Sequence, residues 1–196
     1  MKQVRIVLWI MVAVLAFGVL YLRFAQQSPD AQSIASAKLG GPFDLITHRG
    51  EPITHERFSG RNHVLFFGFT HCPEICPTTL FDASSWLKSL GDKAKDVDFY
   101  FITVDPERDT QEALFYYVDA FDKRIVGITG DPKEIENLAS SYHIYVSRVE
   151  LEDGDYTVDH TASVLLFNEE GDFKGTIAFN ENEETALAKL NNLIDR

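Results

Sequence analysis

From residue 39 onward the chain alternates between short apolar runs and polar breaks that contain glycine or proline. Runs of about five to eight residues that are rich in β-branched and aromatic side chains are typical of buried strands. Three such runs, at residues 63–69, 97–104 and 124–129, predict the centre of a sheet. Helical spacing or a helix start signal follows each run, which predicts a helix after each of these strands.

Weaker alternating patterns flank the three central strands and predict hairpins. They lie at residues 43–46, 53–54, 144–150, 155–158, 161–167 and 173–178. A closing helix is predicted from Glu183, and Asp109 with Glu112 three residues later predicts a capping box for the helix at Gln111. Strands that alternate with helices and then close in hairpins indicate an α/β fold with a mixed central sheet, in one domain without an internal repeat.

The amino-terminal segment has a different pattern. An apolar run at residues 6–22, about 17 residues long, reaches the lower limit for crossing a bilayer. More positive charge precedes this run than follows it, which places the amino terminus in the cytoplasm and the rest of the chain on the other side. We therefore predict a cytoplasmic segment at 1–5, a transmembrane helix at 6–24, a flexible tether at 25–38 and a folded domain at 39–196. A cleaved signal peptide is the alternative, although no clear cleavage site with small residues follows the run.

Composition narrows the possible classes of protein. The formal net charge of −12 argues against nucleic acid or an anionic membrane surface as a partner. With 45% hydrophobic residues and 15 phenylalanines, a chain of 196 residues can bury a sizeable core. Its two cysteines are too few for a disulfide scaffold.

These cysteines, Cys72 and Cys76, directly follow the first central strand, and a proline follows each of them. Open α/β sheets place their chemistry at the carboxyl ends of strands, and a helix start favours thiolate over thiol. Two thiolates held together can close into a disulfide or bind a soft cation. A purely structural disulfide across so short a loop would restrain the unfolded chain little. A dithiol at the first strand–helix junction predicts a thioredoxin-like fold.

Further ligands must come from the histidines, because both methionines lie at or inside the predicted transmembrane helix. We expect four histidines to be surface side chains rather than ligands: His48, His55, His63 and His143. His71 adjoins Cys72 and is a candidate for tuning its thiolate or offering a nitrogen. His160 precedes the strand at 161–167, where a thioredoxin-like fold brings a loop against its dithiol. Two thiolates and one imidazole suit Cu(I), or Cu(II) with a further ligand, better than structural zinc, which takes four ligands.

Four sequence blocks, in the same order, resemble the Sco (SenC) family of membrane-anchored copper chaperones of cytochrome c oxidase assembly. The blocks are GGPF at 40–43, FGFTHCPEICP at 67–77, VDPERDT at 104–110 and DHT at 159–161. The resemblance covers about residues 39–190 and implies a thioredoxin-like domain with copper bound by Cys72, Cys76 and His160.

The resemblance also implies partners and a location. Copper would be delivered to the binuclear copper centre of cytochrome c oxidase subunit II, or the cysteines of that centre would be reduced. Other copper chaperones or thiol reductants are further implied partners. The implied location is the bacterial inner membrane with the domain in the periplasm, or, in a eukaryote, the mitochondrial inner membrane with the domain in the intermembrane space.

Three functions remain open at this point, and with them the question of whether the protein is an enzyme. The first is a copper carrier. The second is a thiol–disulfide oxidoreductase in which Cys72 attacks and Cys76 resolves, although the C-x-x-x-C loop is one residue longer than C-x-x-C and no proline precedes Thr161. The third is a thioredoxin-like peroxidase or redox sensor, although Arg108 is the only arginine in a motif loop. Arg108 itself is expected either to pair with a carboxylate inside the loop or to contact a partner.

Overall fold

The computed structural model describes residues 39–152 and 154–195, together with Trp9, Met11, Phe17 and Gly18. The chain divides into two units, Met1–Ala37 and Lys38–Arg196. The predicted transmembrane helix and tether lie almost entirely outside the described residues, so both remain predictions. Within the described part of the chain, no helix combines the length and apolarity needed to cross a membrane.

In the described part of Lys38–Arg196, strands form one sheet of seven strands and one of two. The strands are β1 (Asp44–Thr47), β2 (Pro52–Thr54), β3 (Asn62–Gly68), β4 (Val97–Thr103), β5 (Ile125–Thr129), β6 (Val146–Glu150), β7 (Tyr156–His160), β8 (Val164–Phe167) and β9 (Phe173–Ile177). The large sheet has the order β2-β1-β5-β4-β3-β8-β9, and β6 pairs with β7 outside it.

The centre of the large sheet is parallel and its flanks are antiparallel. β4 lies between β3 and β5 and is parallel to both, whereas β8 and β1 run antiparallel to their neighbours β3 and β5. The predicted α/β fold with a mixed central sheet is therefore confirmed. Because β3, β4 and β5 point the same way, the loops that follow them emerge at one edge of the sheet.

The α-helices of the described domain are α1 (Ile75–Ser89), α2 (Gln111–Asp119), α3 (Pro132–Ser141) and α4 (Glu183–Ile194), and two short 3₁₀ helices lie at His55–Phe58 and Gly91–Asp96. A side chain caps the start of α2, α3 and α4, whereas the N-cap residue of α1, Glu74, makes no side-chain cap hydrogen bond. The Asp131 carboxylate accepts hydrogen bonds from the amides of Lys133 and Glu134 at the start of α3, and Pro132 occupies its first position.

The predicted capping box at α2 is wrong. Thr110 is the N-cap residue, and its hydroxyl accepts a hydrogen bond from the Ala113 amide. Asp109 lies one residue earlier and is 0% exposed. Its carboxylate accepts hydrogen bonds from Thr70 and Thr103 instead.

Burial in the core explains why the sequence of β3 is an almost unbroken apolar run. Residues 64–67 are each 0% exposed, so both faces of this strand are covered. Full burial of side chains of this size contributes about 1.5–3 kcal/mol each relative to exposure.

Two histidines expected at the surface are buried, and that expectation is wrong for both. His48 accepts a hydrogen bond at Nδ1 from the Gly127 amide at 2.9 Å, and its Nε2 lies 3.2 Å from the Asp119 carboxylate. Because Nδ1 is the acceptor, Nε2 carries the proton and donates.

His63 lies between two aromatic rings. Its imidazole stacks on Phe58 at 4.8 Å and on Phe167 at 5.1 Å between ring centroids. Burial lowers its pKa, which keeps the ring neutral and compatible with this apolar position. His55 and His143 are exposed, as expected.

Candidate metal centre

Cys72 and Cys76 lie at the edge of the sheet where β3 ends and α1 begins. Cys72 is in the connecting turn, and its amide donates to the Phe69 carbonyl at 3.3 Å. Cys76 is in the first turn of α1, next to Pro77, which needs no amide hydrogen-bond partner there. The Cys76 amide has no partner within the helix and donates to Cys72 Sγ at 3.4 Å. Both cysteines are free thiols.

Gly68, the last residue of β3, makes room for the second sulfur. A Cβ at this position would lie 2.9 Å from Cys76 Sγ and 2.7 Å from Cε2 of Phe101. Real Cβ atoms do not approach other atoms so closely without displacing them. The absence of a side chain at Gly68 therefore allows Cys76 to lie directly against the strand.

His160, the last residue of β7, presents an imidazole to the two sulfurs. Its Nδ1 lies 3.0 Å from the Thr161 carbonyl and donates to it, because a carbonyl only accepts. In the neutral ring Nε2 is then the unprotonated nitrogen, and it lies 3.5 Å from Cys76 Sγ. The ring packs edge-on against Phe69, with 5.7 Å between centroids. A backbone carbonyl that fixes the tautomer in this way is a common arrangement for metal-binding histidines.

The three predicted ligands therefore come together. Sγ of Cys72, Sγ of Cys76 and an imidazole nitrogen of His160 all lie within 4.8 Å of one another, with both cysteines buried and the histidine half-buried. Among the described residues, this is the one group of three or more histidine, cysteine, aspartate or glutamate side chains that could hold a metal ion together. Two sulfurs and one neutral imidazole fit a soft ion such as copper, because thiolate sulfur and imidazole nitrogen are ligands that copper prefers and the group contains no carboxylate oxygen, which suits harder ions.

The two thiols have opposite acid–base properties. The pKa of Cys72 is lowered to about 4, chiefly by a hydrogen bond from the Cys76 thiol. The pKa of Cys76 is raised, first by the same hydrogen bond and then by burial. At neutral pH the pair therefore holds one proton, on Cys76, and Cys72 is a thiolate. The lowered pKa of Cys72 favours its thiolate, in line with the expectation, whereas the raised pKa of Cys76 favours its thiol.

Asp109 supports the turn that carries Cys72. Its carboxylate accepts a hydrogen bond from the Thr70 amide at 3.0 Å and a second from the Thr70 hydroxyl. The Thr103 hydroxyl at the end of β4 donates to it at 2.7 Å. Burial raises the pKa of Asp109 in spite of these donors. The local pattern predicts a helix cap at Asp109 and does not indicate this contact, because Thr70 lies 39 residues away in the sequence.

His71 lies outside the group of three. It is exposed, and its Nδ1 lies 3.0 Å from the Thr70 hydroxyl and 3.9 Å from the Asp109 carboxylate. Its position next to Cys72 leaves it near the surface of the site rather than among the converging donor atoms.

The loop at residues 105–109 contacts the hairpin that carries His160. Arg108 Nε donates to the Asp105 carboxylate, which confirms the expected pairing inside the loop. Arg108 Nη1 donates to the Tyr156 carbonyl at 2.9 Å, and the Tyr156 hydroxyl donates to Asp105 at 2.8 Å. No motif or spacing in the sequence singles out Tyr156, the first residue of β7.

Comparison with known proteins places these features in a family. The sequence profile described as SCO1/SenC matches residues 31–195. The mitochondrial SCO1 homolog 1 of Arabidopsis thaliana is 40% identical over 145 residues, covering 74% of this chain and 43% of that protein. The chain spans about half the length of the first curated relatives it matches.

Solved structures agree with this match. ScoI of Bradyrhizobium japonicum with copper bound is 41% identical, has a TM-score of 0.74, and is matched over 79% of this chain and 99% of that one. Yeast Sco1 with copper bound is 33% identical, with a TM-score of 0.73 and coverage of 81% and 89%. The α/β fold with its mixed central sheet thus matches the thioredoxin-like structures of Sco proteins. This chain belongs to the SCO1/SenC family.

Proposed function

We propose that this protein is a copper chaperone that carries one copper ion on Cys72, Cys76 and His160. The observation that carries the proposal is the convergence of two sulfurs and one imidazole nitrogen within 4.8 Å. The copper-bound structures of Bradyrhizobium ScoI and yeast Sco1, which share this fold, support it.

The protonation of these side chains suits a carrier. Cys72 is a thiolate at neutral pH because of its low pKa, so its sulfur is available without loss of a proton. In its neutral form His160 presents an unprotonated Nε2, because Nδ1 donates to the Thr161 carbonyl. Cys76 must lose its proton when it becomes a ligand, so copper affinity falls as the pH is lowered.

The carrier delivers copper to the binuclear copper centre of cytochrome c oxidase subunit II. Membership in the Sco family supports a role in the assembly of this oxidase. In the same proposal, residues 6–24 anchor the protein in the inner membrane of a bacterium or a mitochondrion, with the copper-binding domain in the periplasm or the intermembrane space.

A second candidate function is reduction of a disulfide formed by the copper-ligating cysteines of subunit II. The opposite pKa shifts of the two thiols support it, because a thiolate at Cys72 can attack while Cys76 remains protonated. Cys72 would form a mixed disulfide and release one client thiolate, which takes up the Cys76 proton. Cys76, now a thiolate, would then attack the Cys72 sulfur of the mixed disulfide and release the second client thiolate, so that two electrons pass to the client and a Cys72–Cys76 disulfide remains.

Metal binding by variants of the full-length chain tests the proposal. With reduced protein and Cu(I), we expect one copper ion per chain. We expect Cys72→Ser and Cys76→Ser each to remove most of this copper. His160→Ala should lower the affinity by about 10-fold or more while both thiols remain reactive. His71→Ala is the matched control, because it removes a nearby imidazole from outside the group of three, and it should retain its copper.

The two functions give different results in this experiment. If copper content and oxidase assembly both survive His160→Ala, while loss of Cys72 abolishes a measurable reductase activity, the carrier proposal is wrong. Retention of copper by the Cys72→Ser/Cys76→Ser double variant would also exclude it.

The proposed anchor is tested separately by fractionation. The full-length protein should stay with the membrane after a high-salt or alkaline wash, with its domain open to protease from the outer side. Recovery of a soluble protein that lacks about the first 25 residues would instead show cleavage of a signal peptide.

A further inference from the structure

The two halves of the metal centre belong to different sheets. Cys72 and Cys76 follow β3 of the large sheet, whereas His160 ends β7 of the two-stranded sheet. The position of His160 relative to the sulfurs therefore depends on what fixes the β6–β7 hairpin against the large sheet.

Within the hairpin, β7 turns alternate side chains toward the large sheet. Tyr156, Val158 and His160 are two residues apart, so they share one face of the strand. Val158 is buried with the core and Asp159, on the other face, is exposed. Tyr156 and His160 are thus inward-facing side chains at the two ends of one strand, about 13 Å apart at 3.3 Å per residue.

Tyr156 is held by the loop at residues 105–109. Asp105, which is 4% exposed, accepts from the Tyr156 hydroxyl and from Arg108 Nε, and Arg108 Nη1 donates to the Tyr156 carbonyl. Arg108 Cζ also lies 3.6 Å from the centre of the Tyr156 ring. One guanidinium therefore fixes both the backbone and the ring of the same residue.

Arg148 of β6 completes the contact. Its Cζ is also 3.6 Å from the centre of the Tyr156 ring, and both guanidiniums can be this close only if they lie on opposite faces. Arg148 Nη1 in turn lies 3.5 Å from the Glu107 carboxylate of the loop. The ring is thus enclosed between cations from the loop and from the hairpin itself.

The same loop also holds the cysteine side of the centre. Asp109, its last residue, binds the amide and hydroxyl of Thr70, two residues before Cys72. Val104, just before the loop, donates its amide to the Gly68 carbonyl at 2.8 Å. A single short loop therefore contacts both the cysteine turn, through Asp109, and the histidine hairpin, through Asp105 and Arg108.

We propose that the 105–109 loop is a clamp that sets the position of His160 relative to the two sulfurs, with Arg108 and Tyr156 as its positioning residues. The proposal rests on the proposed copper-carrier function. The clamp residues do not contribute donor atoms. They act indirectly: by fixing Tyr156 they fix the position of β7, and His160 is the last residue of this strand.

Arg108→Lys tests the clamp while keeping the charge. A lysine ammonium cannot bind Asp105 and the Tyr156 carbonyl as a planar fork, nor stack on the ring in the same way. Arg124→Lys is a matched control, because Arg124 likewise binds a carboxylate, that of Asp122, and a backbone carbonyl, that of Leu87, away from the hairpin. Tyr156→Phe removes the hydroxyl contact with Asp105 and keeps the ring between the guanidiniums.

The first readout needs no metal. Amide hydrogen exchange of residues 156–160 in the full-length chain should be faster in Arg108→Lys than in the wild type, with a smaller increase in Tyr156→Phe. Arg124→Lys should leave these amides unchanged. Unchanged exchange in Arg108→Lys would overturn the proposal, and so would faster exchange spread evenly over the domain, because it would reflect general destabilisation.

The second readout uses copper alone as the probe. Arg108→Lys should bind Cu(I) about 10-fold more weakly and should weaken the imidazole nitrogen coupling in the electron paramagnetic resonance spectrum of bound Cu(II). Alkylation of Cys72 should keep its wild-type rate, because Asp109 still holds the cysteine turn. Wild-type affinity and nitrogen coupling in Arg108→Lys would refute the clamp. Failure of the wild type to bind copper would refute the proposed function instead, while the exchange data would still decide the role of the loop.

Discussion

At the scale of single residues, the asymmetry of the two thiols is the main chemical property of the site. Cys72 sits in the turn before the helix and receives hydrogen bonds, whereas Cys76 is fully buried against β3. The sequence spacing predicts that the two sulfurs are close. It does not predict which one ionises first, because that depends on the depth of each sulfur in the fold.

This asymmetry predicts selective alkylation. Because the pKa of Cys72 is lowered to about 4, its thiolate is already present at pH 6, and its reaction with iodoacetamide should change little between pH 6 and pH 8. Cys76 should react much more slowly, since its pKa is raised and its sulfur is buried. Mass spectrometry of the metal-free, reduced chain measures both rates. A Cys72 rate that rises about tenfold per pH unit over this range would show an ordinary thiol instead.

Gly68 gives a second prediction for a single residue. Gly68→Ala places a methyl group against Cys76 Sγ and the Phe101 ring, so both must move. We expect a loss of about 1–3 kcal/mol in the free energy of unfolding, measured by urea denaturation, together with weaker copper binding. Gly41→Ala is the control, because a Cβ at Gly41 meets its nearest atom at an ordinary 3.8 Å. Equal effects in the two variants would contradict the steric argument.

At the scale of secondary-structure elements, the sequence predicts those parts whose pattern is local. The central strands and the four α-helices of the described domain were predicted, because an apolar run marks each strand and helical spacing or a start signal lies close to each helix. The sequence pattern did not predict that β6 and β7 form a separate sheet, because the pattern of a strand does not identify the strand with which it pairs. The burial of His48 and His63 was missed for the same reason. Their partners Gly127, Asp119 and Phe167 are remote in sequence.

The connection between β3 and α1 depends on a residue from another element. In Asp109→Ala, the Thr70 amide and the hydroxyls of Thr70 and Thr103 lose their acceptor. Each buried group left unpaired costs about 1–3 kcal/mol, offset in part by removal of a buried carboxylate. We expect a net loss of about 2 kcal/mol in unfolding free energy and faster amide exchange in the cysteine turn.

Asp92→Ala is the control for this prediction. Asp92 also pairs with a nearby side chain, Lys95, but it is 99% exposed, so its loss should change stability by no more than about 0.5 kcal/mol. If Asp109→Ala is as mild as Asp92→Ala, the carboxylate of Asp109 does not support the turn.

At the scale of the whole molecule, the described domain does not depend on a metal for its core. Its buried apolar side chains run continuously through β3, β4, β5 and β8, and the three ligand residues lie at one edge of this core. This arrangement differs from small zinc domains, in which metal binding and folding are one event. Copper should therefore stabilise a fold that already exists.

Removal of copper tests this last point. The metal-free chain should keep its far-ultraviolet circular dichroism and unfold cooperatively in the presence of a chelator. Free Cu(I) at about 1,000 times its dissociation constant should add about 4 kcal/mol to the free energy of unfolding, because it binds the native state. For a domain of this size, that corresponds to a rise of about 8–16 °C in Tm. His160→Ala should show a much smaller rise at the same copper concentration, whereas His71→Ala should behave as the wild type. Unfolding of the wild type by the chelator alone would instead show that copper is a structural component, because a cargo must leave a folded protein behind when it is delivered.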